Sequence, residues 1–489
     1  MELLSPAGNI EKLKYAYTYG ADAAYIGLKK FSLRIKADNF YEDEYKQIVE
    51  LKKSFPGKKL HCALNISFHN AEIDNFIKEI PYFKLYPIDA FIVQDLGLVP
   101  ILQKEFPDAE LHLSTQASCM NREAVKMYKS LGFKRVVMGR EASLKEVKEI
   151  KDAVPDMEIE CFIHGAMCIA YSGRCLMSAY LNGRSAQSGF CSHTCRWDYD
   201  VLSERPYKRE ALDLAQSGQL YLREHKRPDE LFPVYEGDNF TAVLSSKDLC
   251  MIDHLKDFKN AGVDSIKIEG RMKSVYYVAQ ITRAYRKALD AMEGKIPYEK
   301  AEPFINELYD VSHRAFSTGF YYDPVSADQT VTGASDSPYF LAATVGKKLS
   351  PQEMELIFEQ GQNTFTERKN YIDSLVPKAK EAWLKAQKNH PDKNLPTVEK
   401  KDGWVMFEIT ALNLINQESD LELVTPDICS MKLDAQNYKM VNPKTGEIYN
   451  WVCDAHPCVI YTNLPLSENA MIRAKDKDFV SGQIRDNGR

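Results

Sequence analysis

Four cysteines fall within 28 residues, Cys168, Cys175, Cys191 and Cys195, inside ECFIHGAMCIAYSGRCLMSAYLNGRSAQSGFCSHTCRWDY. Four thiolates are the usual complement of an iron-sulfur cluster, and Gly165, Gly173, Gly183 and Gly189 supply turns that let distant sulfurs converge. Zinc, the alternative, also takes four cysteines, but structural zinc sites pair their ligands roughly two to four residues apart. Only Cys191 with Cys195 has that spacing. Unligated buried or redox thiols are the third reading. Gaps of six, fifteen and three residues lack the tight cysteine trio of a radical enzyme built on S-adenosylmethionine. His164, four residues before Cys168, reads as a hydrogen-bond donor beside the cluster, ahead of a core histidine or a ligand, because four cysteines already complete a site.

The other seven cysteines, Cys62, Cys119, Cys161, Cys250, Cys429, Cys453 and Cys458, are scattered among apolar or mixed residues and read as lone buried thiols. The odd total, the clustered thiols and a start, MELLSPAGNIEKLKYAY, without a basic segment before an apolar one point to a reducing cytoplasm. No window approaches the ~18 apolar residues of a membrane span. A chain of 489 residues, 44% hydrophobic, can bury a large core in two or three domains. Its net charge of −6 excludes a strongly basic RNA-coating protein and allows a local basic patch.

Positioning these residues falls to a repeated strand-and-helix pattern. MELLSPAG, DAAYIGL, KLHCALN, DAFIVQD, ELHLSTQ, RVVMGR, EIECFIHG and, after a long insertion, SIKIEG read as eight short strands. Amphipathic segments such as NIEKLKYAYTYG, YEDEYKQIVELKKSF and NREAVKMYKSLG lie between them, with apolar residues at three- and four-residue steps. Such alternation implies a parallel sheet, here an α/β fold of the TIM-like barrel kind over residues 1–330 with a cysteine-bearing insertion at 161–200. In that fold the reactive face lies at the C-terminal ends of the strands, which gathers Asn65, Asp95, Gln116, Arg140, Glu141, His164, Glu269 and Arg271 around the cysteines. Each has a plain structural role open to it: Arg140 and Glu141 as a rim ion pair, Asn65 or Asp95 as helix caps.

Farther on, Lys267, Arg271, Lys273, Arg283, Arg286 and Lys287 in and before KSVYYVAQITRAYRKALDAMEG form a candidate basic patch, with a solvated helix face as the plainer reading. From residue 331 the period changes. YFLAATVGK, GWVMFEITAL, SDLELVTP, TGEIYNWV and PCVIYTN suggest a small C-terminal β-barrel domain, 331–489, interrupted by a helical insertion at about 351–400. A second, charge-rich insertion covers about residues 204–238.

These residues together resemble the U32 family, long filed among peptidases as collagenase-like proteins and including RNA hydroxylases and anaerobic ubiquinone-hydroxylating proteins. The resemblance rests on ELLSPAG, GADAAYIG, LHLSTQAS, MGREASL, ECFIHGAMCIAYSGRCLMS, CSHTCRWDY, LSSKDLC and IKIEGRMKSVYYVA, which span most of the chain. HRAFSTGFYY followed by a β-rich tail is similar to the subgroup that hydroxylates a wobble uridine of tRNA to 5-hydroxyuridine, with prephenate rather than molecular oxygen behind the hydroxyl chemistry. The resemblance implies a 4Fe-4S cluster on Cys168, Cys175, Cys191 and Cys195, and a tail like the small barrels of translation factors. In the ubiquinone relatives one ligand comes from farther away, which keeps Cys250 open as a fourth ligand in place of Cys195. Both insertions depart from the family pattern.

The expected activity is RNA modification, with tRNA, a small carboxylic acid cosubstrate and an electron donor as partners. Arg140, Arg174 and Arg271 are candidates to grip the acid by paired hydrogen bonds, with His164 and Glu269 beside them, and Tyr171 or Tyr180 to stack on an extruded base. A peptidase, a ribosomal RNA cytidine hydroxylase and a noncatalytic assembly factor are the competing readings. Against the peptidase stands the lack of a G-x-S-x-G elbow or an H-E-x-x-H helix, and no G-x-G supports a dinucleotide cofactor.

Overall fold

The computed structural model describes residues 1–28, 31–32, 40, 44–168, 170–182, 191, 195, 220–223, 231–236, 241–242, 246–322, 337–389, 395–416 and 418–476. The chain divides into two compact units, Met1–Asp336 with Val480–Arg489, and Ser337–Phe479.

In the first unit the short apolar runs form strands β1 (Glu2–Pro6), β2 (Ala23–Ile26), β3 (Lys59–Leu64), β4 (Ala90–Val93), β5 (Glu110–Leu113), β6 (Arg135–Val137) and β7 (Glu158–Ala166). The long insertion contributes β8 (Leu220–Arg223), β9 (Leu231–Glu236) and β10 (Thr241–Ala242), a small antiparallel sheet, before β11 (Asp248–Cys250), β12 (Ser265–Ile268) and β13 (Phe316–Ser317). Strands β1 to β7 pair in parallel, each with the next, and β12 pairs in parallel with both β7 and β1. That closes an eight-stranded barrel from the eight expected strands. Local capping starts its helices: the Asn9 side chain accepts from the Lys12 N–H ahead of helix Ile10–Thr18, and Ser143 with Glu146 makes a capping box ahead of Leu144–Ala153. No helix among the described residues is long and apolar enough to cross a membrane.

Strand alternation sends some polar side chains into the barrel. Arg135 donates to Glu2 at 2.5 Å, to Glu158 at 2.7 Å and to Glu160 at 3.0 Å, and Lys267 donates to Glu160 at 2.9 Å. The rings of His61 and His112 meet edge to face at 4.8 Å in the same interior. Burial pushes the Glu160 carboxyl up, but Lys267 and Arg135 outweigh it and hold it at about 2.

Two side strands extend the barrel wall: β11 runs antiparallel to β7 and carries β13. A buried ion pair, Arg314 to Asp248 at 2.5 Å, ties their ends. Helix Val275–Met292 buries thirteen of its 18 residues, and this overturns the expected basic patch. Lys267 faces the barrel interior over Tyr25, Arg271 is buried, and Arg283 is buried against Gln280 and Glu307. Arg286 pairs with Asp22 and Asp290, Lys287 lies over the Phe304 ring, and Lys273 over Tyr277. The charges of this helix are used internally.

In the second unit strands β14 (Tyr339–Lys348), β15 (Val405–Ala411), β16 (Ile415–Asn416), β17 (Leu421–Val424), β18 (Met431–Leu433), β19 (Tyr438–Val441), β20 (Trp451–Val452), β21 (Cys458–Thr462) and β22 (Met471–Lys475) are all antiparallel. Seven of them line up in the order β18-β17-β22-β14-β15-β21-β19. The expected small barrel is thus an open half-barrel: β18 and β19 are edges that share no pairing among the described residues. Helices Pro351–Ser374 and Pro377–Asn389 form the expected insertion, and Ile357 and Phe358 of the first pack on Val398, Met406, Val459 and Tyr461.

Candidate functional site

The C-terminal ends of the barrel strands hold a compact set of charged and aromatic groups. Arg140, just past β6, donates from Nη2 to Glu269, just past β12, at 3.1 Å, and its guanidinium lies over the Phe162 ring of β7 at 4.0 Å. The Glu269 N–H donates to the His164 carbonyl at 2.9 Å. Arg140 therefore does not pair with its neighbour Glu141. The Glu141 carboxylate instead accepts from the Ser172 N–H at 2.7 Å and from the Ser172 hydroxyl at 3.2 Å.

That contact brings the cysteine segment to the rim. Ser118, after β5, donates its hydroxyl to the Ser172 carbonyl, and the Arg140 N–H donates to the Ser172 hydroxyl at 3.4 Å. Gly173 takes φ +77°, and a Cβ there would stand 2.1 Å from the Gln116 carbonyl oxygen, so no other residue fits. Hydrogen bonds to a charged acceptor contribute about 1.5–3 kcal/mol each, enough to hold one loop turn in place. Cys168 and Cys175 flank this turn. Arg174 is exposed in it, its N–H donating to Tyr171 at 3.0 Å, and Tyr171 is exposed beside it. Tyr180 lies on the short helix Met177–Asn182.

The remaining expected residues are placed elsewhere. The register of β7 against β12 shifts so that Phe162 pairs with Lys267 and His164 with Ile268. The extra residue, Ile163, displaces the alternation by one. His164 is consequently buried among Tyr277, Tyr285 and Phe316 rather than beside Phe162, and burial lowers its pKa to about 3. It is a neutral core imidazole. Arg271 is buried with its carbonyl against Gly8. Asp95 takes its capping role, accepting from the Gly97 N–H at 2.9 Å.

Of the seven cysteines expected as lone buried thiols, four are buried, Cys119 among them, and Cys250, Cys429 and Cys453 are half-buried. Cys62, Cys161 and Cys458 are buried, which pushes each thiol up to about 12. Cys250, on β11 opposite His164, is pushed up to about 11 by burial and lies 3.9 Å from the Tyr285 hydroxyl. Cys168 is exposed, and Cys175, Cys191 and Cys195 are half-buried. As a donor set these four fit iron or zinc: soft, accessible and close in sequence. Among the described residues no three His, Cys, Asp or Glu side chains stand together as a metal site. Residues 183–190, 192–194 and 196–200 of the expected insertion lie outside the described residues.

Sequence reasoning missed Phe162, Ser118 and Ser172 as site residues. Phe162 was legible as the neighbour of Cys161 on the inward face of EIECFIH; Ser118 and Ser172 carry no signal of their own.

A closed parallel α/β barrel with a cysteine-bearing segment fixed to its C-terminal rim defines the class of protein. The chain belongs to Peptidase family U32, whose sequence profile matches residues 8–330. It is 35% identical over 401 residues to tRNA hydroxylation protein P of Escherichia coli K12, covering 75% of this chain and 88% of that protein. It is 39% identical over 321 residues to tRNA hydroxylation protein P1 of Bacillus subtilis 168, covering 65% and 70%. The 23S rRNA 5-hydroxycytidine C2501 synthase of Escherichia coli K12 is 34% identical over 350 residues, covering 71% of this chain and 48% of that protein.

Proposed function

We propose that this chain hydroxylates RNA, converting the wobble uridine of tRNA to 5-hydroxyuridine. The observation that carries the reading is the 35% identity with a protein named for tRNA hydroxylation, extending over 88% of that protein's length. Hydroxylation of a ribosomal RNA cytidine is the second reading, favoured by the 34% identity with the 5-hydroxycytidine synthase.

In this reading Cys168, Cys175, Cys191 and Cys195 hold a 4Fe-4S cluster, which when bound would supply electron transfer at the rim. The chain's own residues do the rest. Arg140 spends one of its five donors on Glu269, and Phe162 fixes the guanidinium plane, leaving further donors to bind a carboxylate of an acid such as prephenate. Arg174, exposed on the cysteine turn, supplies a second cation to the same acid. Tyr171, exposed beside it, offers a ring on which an unstacked base can rest. An electron donor completes the set of partners.

The test is nucleoside mass spectrometry of total tRNA and ribosomal RNA from cells with and without the gene. Loss of 5-hydroxyuridine and its descendants, restored by the wild-type chain and not by Cys168→Ala, is expected. Loss of hydroxycytidine from ribosomal RNA alone would select the second reading, and an unchanged set of nucleosides would overturn both.

A further inference from the structure

Ser172 lies midway between Cys168 and Cys175, is 4% exposed, and is gripped from two separate rim segments. From the segment after β6, Glu141 accepts both its N–H and its hydroxyl, and the Arg140 N–H donates to the same hydroxyl. From the segment after β5, the Ser118 hydroxyl donates to its carbonyl, and the Gln116 backbone packs against Gly173 with no room for a Cβ. Ser118 itself takes φ +51°, a left-handed backbone unusual for serine, which aims its hydroxyl at the loop. Every donor and acceptor of Ser172 named here is met by the barrel, and Glu141 alone meets two of them.

We propose that Glu141 is a positioning residue: acting through Ser172, it fixes the Cys168–Cys175 turn against the barrel rim and so sets where a group held by those thiols stands relative to Arg140. The consequence for the cluster rests on the reading given under Proposed function; the docking of the turn does not. A carboxylate suits the task because a single oxygen accepts two hydrogen bonds. Glutamine keeps that oxygen, whereas alanine leaves a buried N–H and a buried hydroxyl without their acceptor.

The experiment uses the full chain, apo and iron-loaded, with trypsin cleavage after Arg174 as the direct readout. Arg174 sits in the docked turn, so cleavage there requires the turn to lift. Glu141→Ala should raise the cleavage rate of the apo chain about ten-fold and shift the electron paramagnetic resonance signal of the reduced, iron-loaded chain while iron per chain stays near wild type. Glu141→Gln should restore both readouts, and Ser118→Ala should reproduce the cleavage effect in part. Wild-type cleavage rates and spectra in Glu141→Ala and Ser118→Ala would overturn the proposal. If Glu141→Ala does not fold, Ser172→Ala, which removes the hydroxyl that donates to Glu141, decides it through the same cleavage rate: a rise is expected, and a wild-type rate overturns the proposal. A wild-type chain that hydroxylates no RNA but whose turn lifts in Glu141→Ala would support the docking while sinking the functional reading, so the two failures are separable.

Discussion

Arg140 and Cys168 illustrate how far apart two candidate residues can stand in what constrains them. Arg140 is locked, with its plane on Phe162 and one donor on Glu269, so its loss removes a preset cation from the barrel mouth. Arg140→Gln should therefore lower hydroxylation in the nucleoside assay at least ten-fold without changing iron per chain, as expected for a group that binds and orients an acid. Equal loss of iron and activity would instead make it part of the fold. The thiols are held by contrast only through their loop. Anaerobically purified chain should be brown, and Cys168→Ala, Cys175→Ala, Cys191→Ala or Cys195→Ala should each bleach it, whereas Cys161→Ala, whose buried thiol is pushed up to about 12, should keep the colour. Stoichiometric zinc without iron or sulfide would move the site to the zinc reading, and a bleached Cys250→Ala beside a brown Cys195→Ala would change the ligand set. The segment that docks at the rim was legible, because its closely spaced cysteines single it out. His164 was not, because the bulge at Ile163 that turns it toward Tyr285 leaves no mark in the sequence.

At the scale of elements, the strands announced themselves. Parallel strands covered by helices need short apolar runs, and all eight of the barrel's strands have them. The same strands also carried a signal that went unused: His61, His112, Glu160 and Lys267 interrupt their runs on the barrel-facing alternation, where they pair or stack inside. Helix Val275–Met292 shows the opposite failure. Its lysines and arginines look solvated in one dimension because their partners are remote: Glu307 lies 24 residues from Arg283, and Asp22 lies 264 residues from Arg286. Buried ion pairs contribute little on balance, yet breaking one strands the partner. Arg283→Ala should thus cost about 3–5 kcal/mol in urea unfolding, and the salt dependence of tRNA binding should keep its slope. A flattened slope with undiminished stability would return this helix to the RNA surface.

For the whole molecule, the buried histidines of the barrel unit link its stability to mild acid. Burial is the largest cause in each case: it lowers His61 to about 4 and His164 to about 3, and takes His112 well below the ordinary value, with Arg135 and Lys267 adding to the effect on His61 and His112. An unfolded histidine titrates near 6.5. Between that value and about 4, the unfolded chain takes up protons that the folded barrel refuses. The stability these three imidazoles support is therefore complete above pH 6.5 and is lost as the pH falls through that window, at about 1.4 kcal/mol per pH unit for each histidine. Glu160 acts lower down: its folded carboxyl sits at about 2, so its contribution persists above the unfolded value near 4.5 and is lost only below that. Urea unfolding followed by a barrel signal should show a midpoint that is level from pH 8 to 7 and drops steeply from pH 6 to 5. His61→Asn with His112→Asn should make that drop shallower while lowering the pH 7 midpoint. A midpoint that stays level down to pH 5 would mean that water or counter-ions reach the imidazoles and let them titrate normally inside the fold.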